Sequence, residues 1–528
     1  MVAHGGIDAL IWLCRTSTNT EIHHLITTNL AILAEKESIR PVIITKWALP
    51  PLLQLLQYYM HCDRNMNDTK LPPTASISSS SLPSNSDTHS SAPIPIKQSS
   101  IDDINLYTIH LEIIINCTHV LYQLARAGIL SQEEIITDGI LDILFSLTLY
   151  EIKDIPIKGM DKNEENNLSE KLQQQQLDDL EHGVTTQEQW KERGFIIQSL
   201  AAKSISFVSA TVSNQPSMIE QLRNTNNLAL ALVSDNDEVK KYIAKTVAYL
   251  SLRNDKYKPV LLGGDKVRAL LSILVVLPQL DSGLDDMKDT RKSDLDYYLY
   301  SWHEQKGSKR YDTTFGSLDH APYTAAVSHV CCALANFATN NESQLILMAQ
   351  PRLVRYICNI PSSFPSHMEI HRHVARCLAN LALYDENKDK MLAMEEGEQN
   401  QINDSFNVIP TLLAMGQSAN VTDDIRRHII RALDNLSSNV VDEASDSKKA
   451  QFWKTTFQEI QPFIEKIMTV TDEADTLKRA KLILQRGKDI ISETPNGSNS
   501  EEDEQAEQHE NGMSKTKSKK KNKKKKKN

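Results

Sequence analysis

Turn-forming residues are scarce in this chain: 17 glycines and 19 prolines among 528 residues. An all-β fold needs frequent turn residues, so the shortage argues against one. The seven cysteines are an odd number without a CxxC pair, which gives neither a disulfide framework nor a zinc-finger spacing. They read as reduced, small, buried side chains in a cytoplasmic and/or nuclear protein. No apolar run approaches the roughly 18 to 20 residues of a membrane span, so no transmembrane segment is expected. The start, Met1-Val2-Ala3-His4, is not the basic-then-apolar opening of a signal peptide.

Motifs that carry chemistry are missing too. There is no Walker A loop and no dinucleotide fingerprint. His4-Gly5-Gly6 has no G-x-S-x-G nucleophile elbow to accompany it. His373 and Cys377 stand four apart on a helical pattern, but a structural zinc takes four ligands. The expectation is a non-enzyme with no catalytic residue, no cofactor and no metal.

What is present is a repeat. A hydrophobic content of 40% with 24% charged residues leaves enough apolar material for a real core. The phrase Ala333-Leu334-Ala335-Asn336-Phe337-Ala338 returns as Cys377-Leu378-Ala379-Asn380-Leu381-Ala382 and as Ala432-Leu433-Asp434-Asn435-Leu436-Ser437. A weaker copy surrounds Asn29, and degenerate copies place Gln123, Phe207 and Tyr249 at the asparagine position. The steps from 207 to 249 and from 336 to 380 are 42 and 44 residues. Both match the period of helical armadillo and HEAT units. A glycine-led or small-residue-led amphipathic phrase falls in between, as in Gly139-Ile140-Leu141-Asp142, Val267-Arg268-Ala269-Leu270 and Val408-Ile409-Pro410-Thr411. Its apolar spacing of three and four residues is helical.

This alternation resembles the armadillo repeat, in which a short first helix leads to a second and a longer third. The resemblance covers most of residues 1–490 and is strongest over 321–440. It implies an all-α, right-handed superhelical solenoid of about seven to eight repeats, the first one partial. It also implies protein–protein interaction, with the Asn-bearing third helices lining a concave groove that grips an extended peptide. In armadillo importins a tryptophan sits four residues before the asparagine. Here those positions are Leu25, Cys332, Arg376 and Arg431, a departure that weighs against nuclear-import-receptor activity.

Long insertions explain the wider gaps: Arg64–Asp103, rich in serine and proline and expected to be disordered; Ile155–Gln187, with Gln173–Gln176 among acidic residues and expected to be partly helical; and Gly283–His320. The third crowds Tyr297, Tyr298, Tyr300 and Trp302 together, either as an interface loop or docked on its own scaffold. Phe452–Arg486 reads as a last repeat and cap, with Pro462 and Asp475 near helix starts. Residues 491–528 form an expected disordered tail, acidic from Glu501 and then carrying ten lysines between Lys515 and Lys527. Those lysines suit non-specific nucleic acid or anionic lipid, and no interleaved aromatic supports base stacking.

Arg372, Arg376 and Asn380 are spaced by four, and Arg427, Arg431 and Asn435 repeat the pattern. Four-residue steps keep each trio on one helix face. With Asn336 they form the expected peptide-binding groove. The asparagines would hold backbone amides, and the arginines would pair with carboxylate or phosphate; Arg479 extends the patch. A purely structural use of these residues stands beside that reading, as does occupation of the groove by the acidic tail. The function expected is a scaffold or adaptor for acidic or phosphorylated segments. The alternatives are an RNA- or ribosome-associated factor tethered by the lysine tail, and the regulatory repeat segment of a larger enzyme.

Overall fold

A computed structural model describes residues 5–64, 101–136, 139–152, 170–275, 322–393, 406–438 and 447–492. Every regular element among these residues is helical. The chain opens on a pair, α1 (Gly6–Thr16) and α2 (Thr20–Glu35), and then proceeds in threes. The first triplet is α3 (Arg40–Thr45), α4 (Leu49–Arg64) and α5 (Ile101–Arg126). The second is α6 (Gln132–Ile136), α7 (Ile140–Thr148) and α8 (Glu170–Ala210). Next come α9 (Gln215–Leu222), α10 (Asn227–Leu232) and α11 (Asp237–Arg253), then α12 (Lys258–Leu262), α13 (Lys266–Ser272) and α14 (Pro322–Phe337). The last two are α15 (Asn341–Met348), α16 (Leu353–Ser363) and α17 (Met368–Leu381), and α18 (Asp385–Met391), α19 (Ile409–Gln417) and α20 (Asp423–Leu436). Two longer helices, α21 (Ser447–Val470) and α22 (Ala474–Ser492), close the stack.

Local chemistry sets these boundaries. Proline occupies the first turn of the first helices α3, α9 and α12, where its missing N–H costs nothing. Several third helices start on a side-chain cap: the Asn19 amide oxygen accepts from Glu21 N at 2.8 Å, and Asn236 does the same for Glu238 N at 3.0 Å. The turn from first to second helix takes a left-handed residue, Gly139 at φ 74° and Gly264 at φ 62°. This is the physical origin of the glycine-led phrase, since glycine alone adopts that conformation without strain. Trp47 and Arg352 stand there instead in two other triplets, at φ 58° and 59°, and carry the strain of a side chain.

Each third helix packs on the next: α2 on α5, α5 on α8, and so on through α11, α14, α17 and α20 to α22. One continuous core results, because no triplet can bury its own apolar face alone. Leu111, Ile197, Ile243, Leu334, Leu378 and Ile429 are fully buried along this ladder. The expected all-α solenoid of armadillo-type repeats is therefore the architecture of the chain. Among the described residues no single helix is long and apolar enough to cross a membrane.

Two details differ from the sequence reading. Helix α5 begins at Ile101, inside the segment assigned to the first insertion, whereas the helix expected over part of the second insertion is present as the start of α8 at Glu170. The run from 170 to 187 is rich in Gln, Leu and Glu, strong helix formers that extend α8 toward its N-terminus. Pro462 does not start a helix but lies inside α21. Trp453, Phe457, Ile460, Ile464 and Ile467 bury one face on both sides of it, which outweighs the lost hydrogen bond. The aromatic cluster Tyr297, Tyr298, Tyr300 and Trp302, the serine- and proline-rich part of the first insertion and the lysine tail lie outside the described residues.

The C-terminal cap sits close on its neighbour. A Cβ at Gly416 of α19 would fall 2.5 Å from Cε2 of Phe463 on α21. Gly416→Ala therefore sets a helix-propensity gain of about 1 kcal/mol against overpacking of about 1–3 kcal/mol. A net loss of up to about 2 kcal/mol is expected, read as a lower midpoint in urea.

Candidate functional site

The three asparagines of the repeated phrase hold the solenoid together. Asn336 on α14 is buried; its amide donates to Ala248 O and Ser251 Oγ on α11, both at 3.2 Å. Asn380 on α17 donates to Ala335 O at 2.8 Å, and Asn435 on α20 donates to Ala379 O at 2.8 Å. Each amide thus crosses to the third helix of the preceding repeat. The arginine four residues earlier makes a second crossing. Arg376 Nη2 donates to Asn336 Oδ1 at 2.8 Å and to Cys332 O at 3.2 Å. Arg431 Nη2 donates to Asn380 Oδ1. Arginine, asparagine amide and main-chain carbonyl form a relay that steps back one repeat at a time.

Of the two uses expected for the amides, these contacts fit the structural one. Asn336, Asn380 and Asn435 direct donors at their own scaffold, and Asn336 has no exposed surface to speak of. The sequence cannot distinguish a backbone-binding amide from an interhelical one, since both need the same residue at the same register. Asn29, the weak copy, donates to Leu25 O of its own helix at 2.6 Å and makes no such crossing among the described residues. At Gln123 a variant of the relay persists, with Arg40 Nη2 donating to Gln123 Oε1 at 3.2 Å.

The arginines divide into two groups. Arg372 is ion-paired with Glu369 through two hydrogen bonds. Arg427 pairs with Asp424 at 2.7 Å and lies 3.6 Å from Glu473. Arg479 pairs with Asp434 at 2.7 Å and Asp475 at 2.8 Å, and Arg486 also reaches Asp434, at 2.8 Å. These four are neutralised. Arg376 and Arg431 are half-buried and form no ion pair among the described residues. The Nε of Arg376 is buried without a partner. Burial, followed by the guanidinium groups of Arg479, Arg376 and Arg427, holds Arg431 below the usual arginine range. It nonetheless stays charged at any ordinary pH.

The same register runs further than the arginines. Four residues before the degenerate positions Phe207 and Tyr249 stand Lys203 and Lys245. Lys203 Nζ lies 5.5 Å from the Tyr242 ring centre and 3.7 Å from Glu238; Lys245 Nζ lies 5.6 Å from the Tyr249 ring centre. Lys245 has no ion pair among the described residues. Sequence reasoning passed over these lysines because the asparagine that marks the register is replaced by aromatics there. The fixed spacing of four was the available signal.

Seven residues before the asparagines stand His329, His373 and His428, one on each of three successive third helices. Burial pushes all three imidazoles down to about 4. Cationic neighbours act in the same direction: Lys245 and Lys241 on His329, Arg376 and Arg372 on His373, Arg431, Arg427 and Arg376 on His428. Glu369 opposes the shift at His329 and His373, and Asp424 at His428. His373 Nε2 is 3.0 Å from Glu369 Oε1. Cys377, the other residue weighed as a metal ligand, is buried, and burial raises its thiol to about 12. All seven cysteines are free thiols.

No family model and no curated protein matches the chain. Solved structures do. A designed armadillo repeat protein is 13% identical, with 55% of this chain and 93% of that one covered at a TM-score of 0.36. Another, in complex with the peptide (KR)4, is 14% identical over 55% and 93% of the two chains, with a TM-score of 0.37. A structure titled for a phosphorylation switch in the interaction between cadherin and beta-catenin is 11% identical over 92% and 91%, with a TM-score of 0.30. Likenesses this low carry no function across, and the fold stated above stands on the chain's own helices.

Proposed function

We propose that the chain is a non-catalytic interaction scaffold whose third-helix face holds an acidic or phosphorylated protein segment at Arg376 and Arg431. One observation supports this reading above the rest. Arg376 and Arg431 sit half-buried without a direct ion pair among the described residues, and the opposing charge acting on Arg431, Asp475, is itself paired with Arg479. A half-buried charge without a counterion is costly, and an incoming carboxylate or phosphate relieves that cost. Each guanidinium binds the scaffold through Nη2, which leaves further N–H donors for an anion. Relative to the sequence reading, Arg372 and Arg427 become flanking ion pairs and the asparagines become the supports that aim the two central arginines.

The test is affinity capture from lysate read by mass spectrometry, with and without phosphatase, comparing the wild type with Arg376→Gln, Arg431→Gln. Loss of a charge-assisted pair is worth about 1.5–3 kcal/mol, so partners held here should fall by about tenfold or more. Helicity by circular dichroism should stay unchanged. An unaltered partner list in a folded double variant would remove the arginines from the binding face.

A further inference from the structure

Near the start of α11 the third-helix face changes character. A cleft of about 470 Å³ lies between α8 and the first turn of α11, with Phe195, Ile196 and Leu200 on one wall. Phe195 is 51% exposed and Ile196 41%, although Ile197 beside them is fully buried. The walls are braced. Asn236 caps α11 and donates from Nδ2 to Phe195 O at 3.2 Å, Gln198 Oε1 at 3.1 Å and Ser199 Oγ at 3.3 Å. The apolar side chains are therefore held open on two tied helices.

The rim is acidic. Asp237 pairs with Lys240 at 2.8 Å and Glu238 with Lys241 at 3.2 Å. Lys203 also lines the cleft and lies 3.7 Å from Glu238, while Glu192 and Asp235 line it with no ion pair among the described residues. Uncompensated charge here is negative, opposite in sign to that at Arg376 and Arg431. An apolar floor excludes a purely polar occupant, and the acidic rim disfavours an acidic one. The chain's own run from Lys515 to Lys527 contains only Lys, Thr, Ser and Asn, and so offers nothing for the floor.

We infer that this cleft takes a large apolar side chain flanked by lysine or arginine on an extended protein segment, and that the same segment then presents an acidic residue to Arg376 and Arg431. The second clause rests on the proposed function; the first does not. From the α8–α11 junction to the α17–α20 junction is three helix steps of about 8–10 Å, or about 24–30 Å. An extended chain covers that span in about seven to nine residues. The recognised segment is thus bipartite, with its apolar–basic anchor and its acidic anchor at that separation.

The experiment is selection from a displayed library of linear random peptides long enough to span both anchors. The targets are the full chain, its Phe195→Asp variant and its Arg376→Gln, Arg431→Gln variant, and the enriched peptides are then titrated calorimetrically. Wild type should enrich peptides with the apolar–basic pair and an acidic residue at the stated separation. Phe195→Asp should weaken them by tenfold or more and drop the apolar–basic preference while keeping the acidic one; the arginine variant should do the reverse. Phe195 is exposed, so its replacement should leave helicity intact. Enriched peptides without an apolar–basic pair, affinities indifferent to Phe195→Asp, or no enrichment at all would overturn the cleft. An apolar–basic preference that survives without any acidic preference would keep the cleft and remove the arginine reading. Library peptides that bind tightly only after residues 493–528 are deleted would make the tail the occupant and overturn the assignment to a partner.

Discussion

Asn336→Ala is expected to destabilise the chain by about 2–4 kcal/mol, the largest loss for any single polar side chain on the third-helix face. Its amide bonds Ala248 O and Ser251 Oγ, and its carbonyl oxygen receives Arg376, all within a buried setting. Alanine leaves a buried acceptor on α11 and a guanidinium on α17 with fewer partners, and adds a small void. Asn435→Ala removes one such crossing from a half-buried position, so about 1 kcal/mol is expected there. In a solenoid each repeat is stabilised by its neighbours, so the damage should be local. Hydrogen exchange should rise across α11, α14 and α17 and stay unchanged in α2 and α5. Urea unfolding should lose cooperativity at that boundary. If Asn336→Ala melts like wild type, the relay is ornament and the phrase must be explained by packing alone.

Acid is expected to unfold the C-terminal half before carboxylates protonate in bulk. His329, His373 and His428 titrate near 4 in the fold and near 6.5 when unfolded. Between those values the unfolded chain binds protons that the folded chain refuses. Stability is therefore fully present above about pH 6.5 and falls steadily as pH drops toward 4. Each imidazole contributes on the order of 2 kcal/mol to that loss. The Nδ1 atoms of His373 and His428 are buried without partners, so neither has a ready acceptor for a second proton. Melting temperature should drop through this window, and His428→Leu should shallow the drop while leaving the pH 7.5 value nearly unchanged. An equally steep profile in the variant would assign the acid sensitivity to other groups.

These expectations show where sequence reading ended. The period of 42–44 residues, the helical apolar spacing and the asparagine phrase were all visible in one dimension, because a stacked repeat must show the same buried pattern in every unit. The glycine-led phrase was legible as punctuation, and its cause, a left-handed residue at the first-to-second turn, came from the backbone. Trp47 and Arg352 show that the turn is imposed by stacking and persists when the glycine is missing. That part of the second insertion is helical was legible from propensity, but its continuity with the third helix as α8 was not, because the repeat period says nothing about helix length.

At the site, the sequence by itself determined that Arg372, Arg376 and Asn380 share a helix face with the register of Arg427, Arg431 and Asn435. Spacing along one helix is a local property. Which of those charges remains free is not local. Glu369 and Asp424 neutralise Arg372 and Arg427 from three residues away, a pairing that spacing permits, but nothing along the chain says that Arg376 and Arg431 turn to amides one repeat back. Likewise, Phe195 and Ile196 read as ordinary helix residues until α11 places Asp235–Glu238 across from them. Periodicity fixed the helices and their order; the crossing of one third helix over the next decided which polar groups are consumed as support and which are left for a partner.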